Sequence, residues 1–308
     1  MGLFSKPEVV ILKDSCDSKE YLIKLQELRT TVPDNSIAAE KIDKEIAITE
    51  AGIFGEDSIL FELKNSGMNL VVIRDLYLET IDGRSAQIDY FVITPYGNVI
   101  IECKNLFGNI EINNKGEFIR SFEYRGRRYK EGIYSPITQN ERHLEVYKSC
   151  WETNKDFLSK LIASKHFTDY NKTIVVLANP KTVINDKYAK REIKQQVIRG
   201  DQLVNYLKSL KSDFGTSLKS MREAGEKILS MNKENRTDYY KKFDELAASE
   251  KTSSTDKSIQ PNESRDNTIC PRCGGNLVLR TATKGCNVGN HFYGCSNFPK
   301  CKYILNIK

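Results

Sequence analysis

The sequence predicts an α/β sandwich preceded by a helical extension and followed by a small cysteine-rich module. Three observations carry this. Strand-like apolar runs at 70–78, 86–94 and 98–104 are joined by Asp82-Gly83 and Pro95-Tyr96-Gly97, both strong turn signals. Helical periodicity flanks these runs on both sides. Five of the eight cysteines crowd into the last 39 residues.

Taken in order, residues 17–50 carry Leu22, Leu25 and Leu28, then Ile37, Ile42, Ile46 and Ile48, among many charges, with a break at Pro33-Asp34. They predict a helical hairpin. A separate helix is expected from about Phe54 to Asn65, with Ile59, Leu60 and Leu63 on one face. The three strands follow, then hairpin-like runs at 109–113 and 117–122 with a turn at Arg125-Gly126. A long helix is expected over 136–161, a buried strand over 173–178, a short strand at 197–199 and a helix ending near Leu210. A helix-then-meander start followed by mixed elements points to an α/β sandwich. The expected organisation is a helical extension over 1–50, a core domain over 51–215, a charged helical segment over 216–246, a flexible linker over 247–269 and a cysteine module over 270–308. The linker is read from a stretch rich in Ser, Thr, Asp, Asn and Lys.

Hydrophobic residues make up 39% of the 308 and charged residues 29%, the composition of a polar globular protein. No apolar run approaches the roughly 20 residues needed to span a bilayer. Met1–Lys6 holds no apolar signal core, and Lys6 stands where a myristoylation pattern needs Ser or Thr. The expectation is a cytoplasmic protein with no membrane partner. The net charge of +6 is located in one place. From Cys270 onward there are six basic residues (Arg272, Arg280, Lys284, Lys300, Lys302 and Lys308) and no acidic one. Of the 47 basic residues, 41 therefore remain upstream, against 41 acidic residues. An acid-free segment suits a phosphate backbone; a basic tail kept for solubility is the plainer alternative.

Cys270-Pro-Arg-Cys273-Gly-Gly presents two thiols from one tight turn, and Cys295 with Cys301 supplies a second pair. Clustered cysteines in a chain without a signal read as metal ligands in a reducing compartment. Tetrahedral zinc needs four ligands, so Cys270, Cys273, Cys295 and Cys301 are the expected set for one structural Zn2+, with Cys286 and His291 as spares. The segment has few aliphatic residues, so the metal would be its core.

A second constellation lies upstream. Within a strand, Glu102 and Lys104 share one face while Ile101 and Cys103 take the other. Asp89, in Gln87-Ile88-Asp89, lies on the preceding strand across a short turn, where a register placing it near Glu102 is easy to build. Charges on strands otherwise full of Val and Ile need a reason. Asp89, Glu102 and the Cys103 backbone carbonyl would hold a hard cation, Mg2+ or Mn2+, with Lys104 orienting water or stabilising charge. Glu56, on the preceding helix, could complete the shell.

These residues resemble two families. Gly55-Glu56, Gln87-Ile88-Asp89, Val99–Asn105 with Gly108, and Tyr134-Ser135-Pro136-Ile137-Thr138-Gln139-Asn140 are similar to the nuclease-related domain, NERD, of the PD-(D/E)xK nuclease superfamily. The resemblance covers about residues 50–165. It implies a restriction-endonuclease-like αβ sandwich with Glu56, Asp89, Glu102, Lys104 and Gln139 as the catalytic set. His143, one turn beyond Gln139, is either part of that site or a hydrogen-bonded structural histidine. Cys270–Leu277 and Phe292–Cys301 resemble the zinc ribbon of bacterial type IA topoisomerases, which implies DNA binding, mainly to single strands. In that ribbon Phe292, Tyr293 and Phe298 would stack on bases while Lys300 and Lys302 track phosphates, or the aromatics would simply pack around the zinc. Arg125, Arg127 and Arg128 concentrate charge in one hairpin, either a phosphate grip or an ordinary solvated turn.

The expected function is metal-dependent phosphodiester hydrolysis of DNA, targeted by a DNA-binding ribbon. The alternative is a DNA-binding accessory protein with weak or no hydrolysis. RNA stays open as a substrate, because this chemistry does not itself select the sugar. A topoisomerase proper is disfavoured, since no topoisomerase core is visible.

Overall fold

The computed structural model describes residues 6–124, 126–153, 166–212, 215–255, 272–273, 275–281 and 291–306. It divides into two compact units, 1–254 and 255–308.

The larger unit is built on a six-stranded mixed sheet in the order β1-β2-β3-β4-β8-β10. Its strands are β1 (Val9–Lys13), β2 (Leu70–Glu79), β3 (Ser85–Thr94), β4 (Gly97–Lys104), β8 (Asn171–Leu177) and β10 (Val197–Arg199). The β2-β3-β4 meander is antiparallel, as its tight turns require, while β1, β8 and β10 join in parallel. A second sheet, β7-β6-β5-β9, is made of β5 (Asn109–Ile112), β6 (Phe118–Tyr124), β7 (Arg127–Ile133) and β9 (Ile184–Asn185).

Helices cover both faces of the main sheet. On one face, Ile59, Leu60 and Leu63 of α2 (Ile37–Lys64) pack on Val72, Tyr90, Val92, Val99 and Ile101, joined by Leu203 and Leu207 of a short helix. On the other, Val146 and Tyr147 of α3 (Pro136–Thr153) pack on Val71, Ile73, Phe91, Ile93 and Ile100. Met221 and Ile228 of a helix over Leu218–Leu229 complete that layer. The α/β restriction-endonuclease-like class read from the sequence is the observed one.

Several boundaries differ from expectation. The second helix of the N-terminal hairpin and the helix expected near Phe54 are one element. After α1 (Asp17–Arg29), α2 runs unbroken for 28 residues through Gly52 and Gly55. A mid-helix glycine costs only about 1 kcal/mol, less than the packing of the apolar face returns. Strand β1 was not expected, although Val9-Val10-Ile11-Leu12 is a short apolar run. Residues 247–255 of the expected flexible linker are helical instead, in a helix that spans Lys241–Thr255. Phe243 and Ala247 are buried there against Leu25, Leu28, Ala38 and Ile42 of α1 and α2. The rest of the expected linker, 256–269, lies outside the described residues, as does 154–161 of the expected long helix.

The smaller unit is a three-stranded antiparallel sheet of β11 (Leu277–Thr281), β12 (His291–Cys295) and β13 (Ile304–Asn306).

Candidate active site and cysteine centre

Strands β3 and β4 pair from Thr94↔Gly97 to Tyr90↔Ile101, and the ladder then opens. Beyond it, the Cys103 N–H donates 2.6 Å to the carboxylate of Asp89. On the opposite edge of β4, the Lys104 carbonyl accepts the N–H of Ala178. Backbone groups alternate sides along a strand, so the Cys103 carbonyl faces the same edge as Asp89. The sequence expected Asp89 near Glu102; Asp89 accepts from the residue after Glu102, and the Glu102 charge is among those that raise its carboxyl.

Glu102 is 1% exposed. Its Oε1 accepts from Lys104 Nζ at 2.6 Å, and the same ammonium donates 3.2 Å to Oε1 of Gln139 on α3. Glu102 Oε2 and His143 Nδ1 stand 3.4 Å apart, and among the described residues neither atom has a hydrogen-bond partner. Asn140, between Gln139 and His143, donates from its amide to the carbonyls of Ile100 and Ile174, pinning α3 to the sheet. The expected Glu102, Lys104 and Gln139 thus converge. His143, on the same helix as Gln139, lies beside Glu102.

Electrostatics mark the cluster. Burial, then the charges of Glu102 and Glu56, pushes the Asp89 carboxyl well above the usual carboxylate range. Burial raises Glu102 as well, against the lowering influence of Lys104. Burial would lower Lys104, but Glu102 and Asp89 hold it above its usual value. Burial and the nearby Lys104 charge push His143 down to about 4, so it is neutral at physiological pH.

Glu56 arrives from α2 with a partner the sequence analysis passed over. Its Oε2 accepts from Arg74 at 2.9 and 3.2 Å and lies 3.5 Å from the Cys16 thiol. Arg74 is fully buried and also pairs with Asp57 at 2.7 Å. The signal was present: an arginine directly after Leu70-Val71-Val72-Ile73 cannot reach water, and a buried charge needs partners. Gly55 explains how α2 comes so close. A Cβ there would stand 2.5 Å from Asn105 Cβ, and the Asn105 amide donates to the Ala51 carbonyl. Gln87, beside Asp89 in sequence, instead donates 2.7 Å to Asp75, a residue in left-handed backbone (φ 55°). The Asp75 carboxylate also takes the Asp17 N–H, tying the N-terminal segment to β2.

Arg127 and Arg128 are exposed at the start of β7, with Arg128 4.0 Å from Glu123; Arg125 lies outside the described residues.

In the smaller unit the thiols of Cys273, Cys295 and Cys301 lie within 4.8 Å of one another. Asn297 aims its N–H at Cys295 Sγ (3.4 Å) and its side-chain amide at Cys273 Sγ (3.5 Å). The Gly275 N–H, followed by Cys295, lowers the Cys273 thiol to about 6. Three convergent thiols with amide donors on the sulfurs fit zinc, a soft-ligand tetrahedral ion. Cys270 and Cys286 lie outside the described residues. Tyr293 packs against Leu277, Cys295 and Cys301, in keeping with the packing alternative, whereas Phe298, Lys300 and Lys302 are exposed and Phe292 is half-buried.

Two family models match. Residues 51–178 match the nuclease-related domain, and residues 267–308 match the topoisomerase DNA binding C4 zinc finger. Both resemblances read from the sequence therefore hold. The DNA topoisomerase 1 of Methanocaldococcus jannaschii is 46% identical over 51 residues, covering 17% of this chain and 6% of that protein. The DNA topoisomerase 1 of Helicobacter pylori is 25% identical over 217 residues, 62% of this chain and 28% of that protein. The uncharacterized protein YrdD of Escherichia coli is 41% identical over 44 residues, 14% of this chain and 22% of that protein. No solved structure matches the chain. Among the described residues, no helix is long and apolar enough to cross a membrane.

Proposed function

We propose that this protein is a divalent-metal-dependent nuclease acting on DNA, brought to its substrate by the zinc ribbon. The observation that carries this reading is the buried Glu102 carboxylate, one oxygen on Lys104 and the other without a hydrogen-bond partner among the described residues, near Asp89 at the opened end of the β3–β4 ladder. Two carboxylates raised by burial and by neighbouring carboxylate charge are costly to keep, and a hard cation relieves that cost. Asp89, Glu102 and the Cys103 carbonyl are the oxygen donors for it. Bound there, Mg2+ or Mn2+ would polarise a phosphoryl oxygen and acidify a water.

The chain's own residues supply the rest. Lys104, fixed between Glu102 and Gln139, offers a positive charge to a water or to the developing phosphorane oxygens. Asn140 holds the helix that carries Gln139 in place. Neutral His143 adds no charge of its own beside Glu102. Glu56, clamped by Arg74, adds negative potential and, once released, an oxygen ligand. Four cysteines around one zinc would hold the ribbon, and its acid-free surface would bind the phosphate backbone.

One observation favours the alternative of a DNA-binding accessory protein. Arg74 and Cys16 already engage Glu56, and Lys104 already engages Glu102. The deciding experiment incubates purified protein with labelled single- and double-stranded DNA and RNA, with and without Mg2+ or Mn2+. Metal-dependent cleavage that falls about 10²–10³-fold in Glu102→Gln or Lys104→Ala supports the nuclease. Cleavage at an unchanged rate in Glu102→Gln moves the site elsewhere, and binding without cleavage leaves the accessory role.

A further inference from the structure

The second sheet does more than close the core. Residues directly opposite across its strands share a face. On the inner face, Ile112, Phe118 and Ile133 form one row and lie in the core with Ile137, Val175 and Leu177. Further along the β6–β7 hairpin the same face carries Arg120 opposite Glu131, then Phe122 opposite Tyr129, then Tyr124 opposite Arg127. The face thus leaves the core as a strip of aromatic rings and cations.

The rings are organised. Phe122 and Tyr129 stack with centroids 5.2 Å apart and planes 14° from parallel. Phe107 meets Phe122 edge-on at 6.1 Å, and the Arg120 guanidinium sits 4.7 Å from the Phe122 centroid. Phe122 is thereby the anchor, while Phe107 (61% exposed) and Tyr129 (41%) present ring surface to solvent. Gly108 makes the approach possible. It holds φ +100°, and a Cβ there would stand 2.5 Å from the Ser121 carbonyl and 2.7 Å from Phe122 Cβ. Exposing aromatic surface has a hydrophobic cost, so a chain that builds such a strip invites a flat partner.

Its position names that partner. Phe107 follows Lys104 by three residues at the end of β4. On the other flank, Tyr134 stands two residues before the start of α3, its ring 5.5 Å from the Arg142 guanidinium, and α3 carries Gln139 to Lys104. Strip and carboxylate cluster are therefore fixed by the same two elements. Rings can stack only on bases whose faces are free, which a duplex interior does not offer. Arg127, exposed opposite Tyr124, suits a phosphate between such bases, while Arg120 is held by Glu131 and supports Phe122.

We infer that Phe107, Phe122 and Tyr129 form a base-stacking platform that delivers an unpaired nucleic-acid strand to the Asp89–Glu102–Lys104 site. This rests on the nuclease reading of that site and adds its substrate form.

The test uses the full chain without added divalent metal, so no turnover is needed. A 12-nucleotide oligodeoxythymidylate carrying 5-iododeoxyuridine is photocrosslinked, and the adducts are mapped by mass spectrometry. Adducts on Phe107, Phe122 or Tyr129 are expected. In titrations, Phe107→Ala and Tyr129→Ala should each weaken binding of the oligonucleotide about tenfold. Binding of an abasic 12-mer or a duplex of equal length should change less than twofold, and Tyr129→Phe should bind like the parent. Adducts confined to Phe292, Tyr293 and Phe298, or equal weakening for duplex and single strand, would overturn the platform. Failure of the nuclease reading looks different: the oligonucleotide stays uncut with Mg2+ while the platform adducts persist.

Discussion

The Asp89 carboxylate accepts the Cys103 N–H at 2.6 Å, where the next strand-to-strand bond between β3 and β4 would otherwise continue the sheet. This substitution of a side chain for a backbone partner opens the two strands at the point where Glu102 is buried. It fixes Asp89 through a backbone donor, and it turns the Cys103 carbonyl toward the gap. Charge repulsion between Asp89, Glu102 and Glu56 is thereby built into the fold.

The first prediction follows from that repulsion. Burial and neighbouring charges raise the Asp89 carboxyl above its ordinary value in the folded state. The folded protein then holds a proton that the unfolded chain releases, so stability from this group is full at low pH and declines as pH rises through the raised value. Asp89→Asn removes the titration but keeps an oxygen for the Cys103 N–H. Its melting temperature should match wild type near pH 4 and exceed it by a few degrees at pH 8. Saturating Mn2+ should raise the wild-type melting point, by about 2.7 kcal/mol of stability at 100-fold over Kd, and leave Asp89→Asn unmoved. The metal response should fade as pH falls, because the ligands must be deprotonated. A pH-independent difference between the two proteins would contradict the arrangement.

Glycines in α2 give a second, internal comparison. A Cβ at Gly52 would meet nothing within 4 Å, whereas one at Gly55 would stand 2.5 Å from Asn105 Cβ. Gly52→Ala should stabilise the protein by up to about 1 kcal/mol through helix propensity. Gly55→Ala should destabilise it by about 1–3 kcal/mol, because α2 must move off β4 and carry Glu56 with it. Urea unfolding of both variants checks the sign, and equal effects would show that α2 is not held against Asn105.

Much of this was legible in the sequence, for reasons that can be located. The two-residue turn Pro95-Tyr96 leaves little freedom of register, so a register with Asp89 near Glu102 could be built from Gln-Ile-Asp, the turn and Glu-Cys-Lys alone. Cysteine spacing is similarly local, and it found the metal module. What local pattern could not show is which partner arrives from elsewhere. Arg74 reads as a polar interruption of a strand until α2 brings Glu56 and Asp57 to it. Gln87 reads as a neighbour of the site until Asp75 claims it. Ala247 reads as the start of a linker because its burial depends on Leu25 and Ile42, more than 200 residues earlier. The separate helix expected from Phe54 is continuous with the one before it, because packing of the apolar face of α2 outweighs the low helix propensity of Gly52 and Gly55.

The third prediction concerns zinc. Cys273, Cys295 and Cys301 already converge, and Cys270 completes the set read from the sequence. Elemental analysis of protein purified without chelators should find about one zinc per chain. Cys286→Ser should leave that content unchanged. Cys273→Ser or Cys295→Ser should remove it and abolish amide protection in β11–β13, since structural zinc contributes about 10–16 kcal/mol to such folds. Protection in β2–β4 should persist. A zinc-free protein with an ordered ribbon would contradict this assignment.

The fourth prediction separates gripping from chemistry. All of the formal net charge of +6 lies beyond residue 269, while Asp89, Glu102 and Lys104 lie in the other unit. Each phosphate neutralised steepens the fall of log affinity with log salt by about 0.7–0.9. Three or four ribbon contacts, from residues such as Lys300, Lys302 and Arg272, would account for a slope of about −3. Deleting residues 270–308 should flatten the measured slope by that amount and weaken binding most at low salt. The single-turnover cleavage rate at saturating protein should change less than threefold, because the groups assigned to the chemistry remain. If the slope were unchanged, the grip would reside in the core, and charge reversal of Arg127 and Arg128 should then flatten it instead.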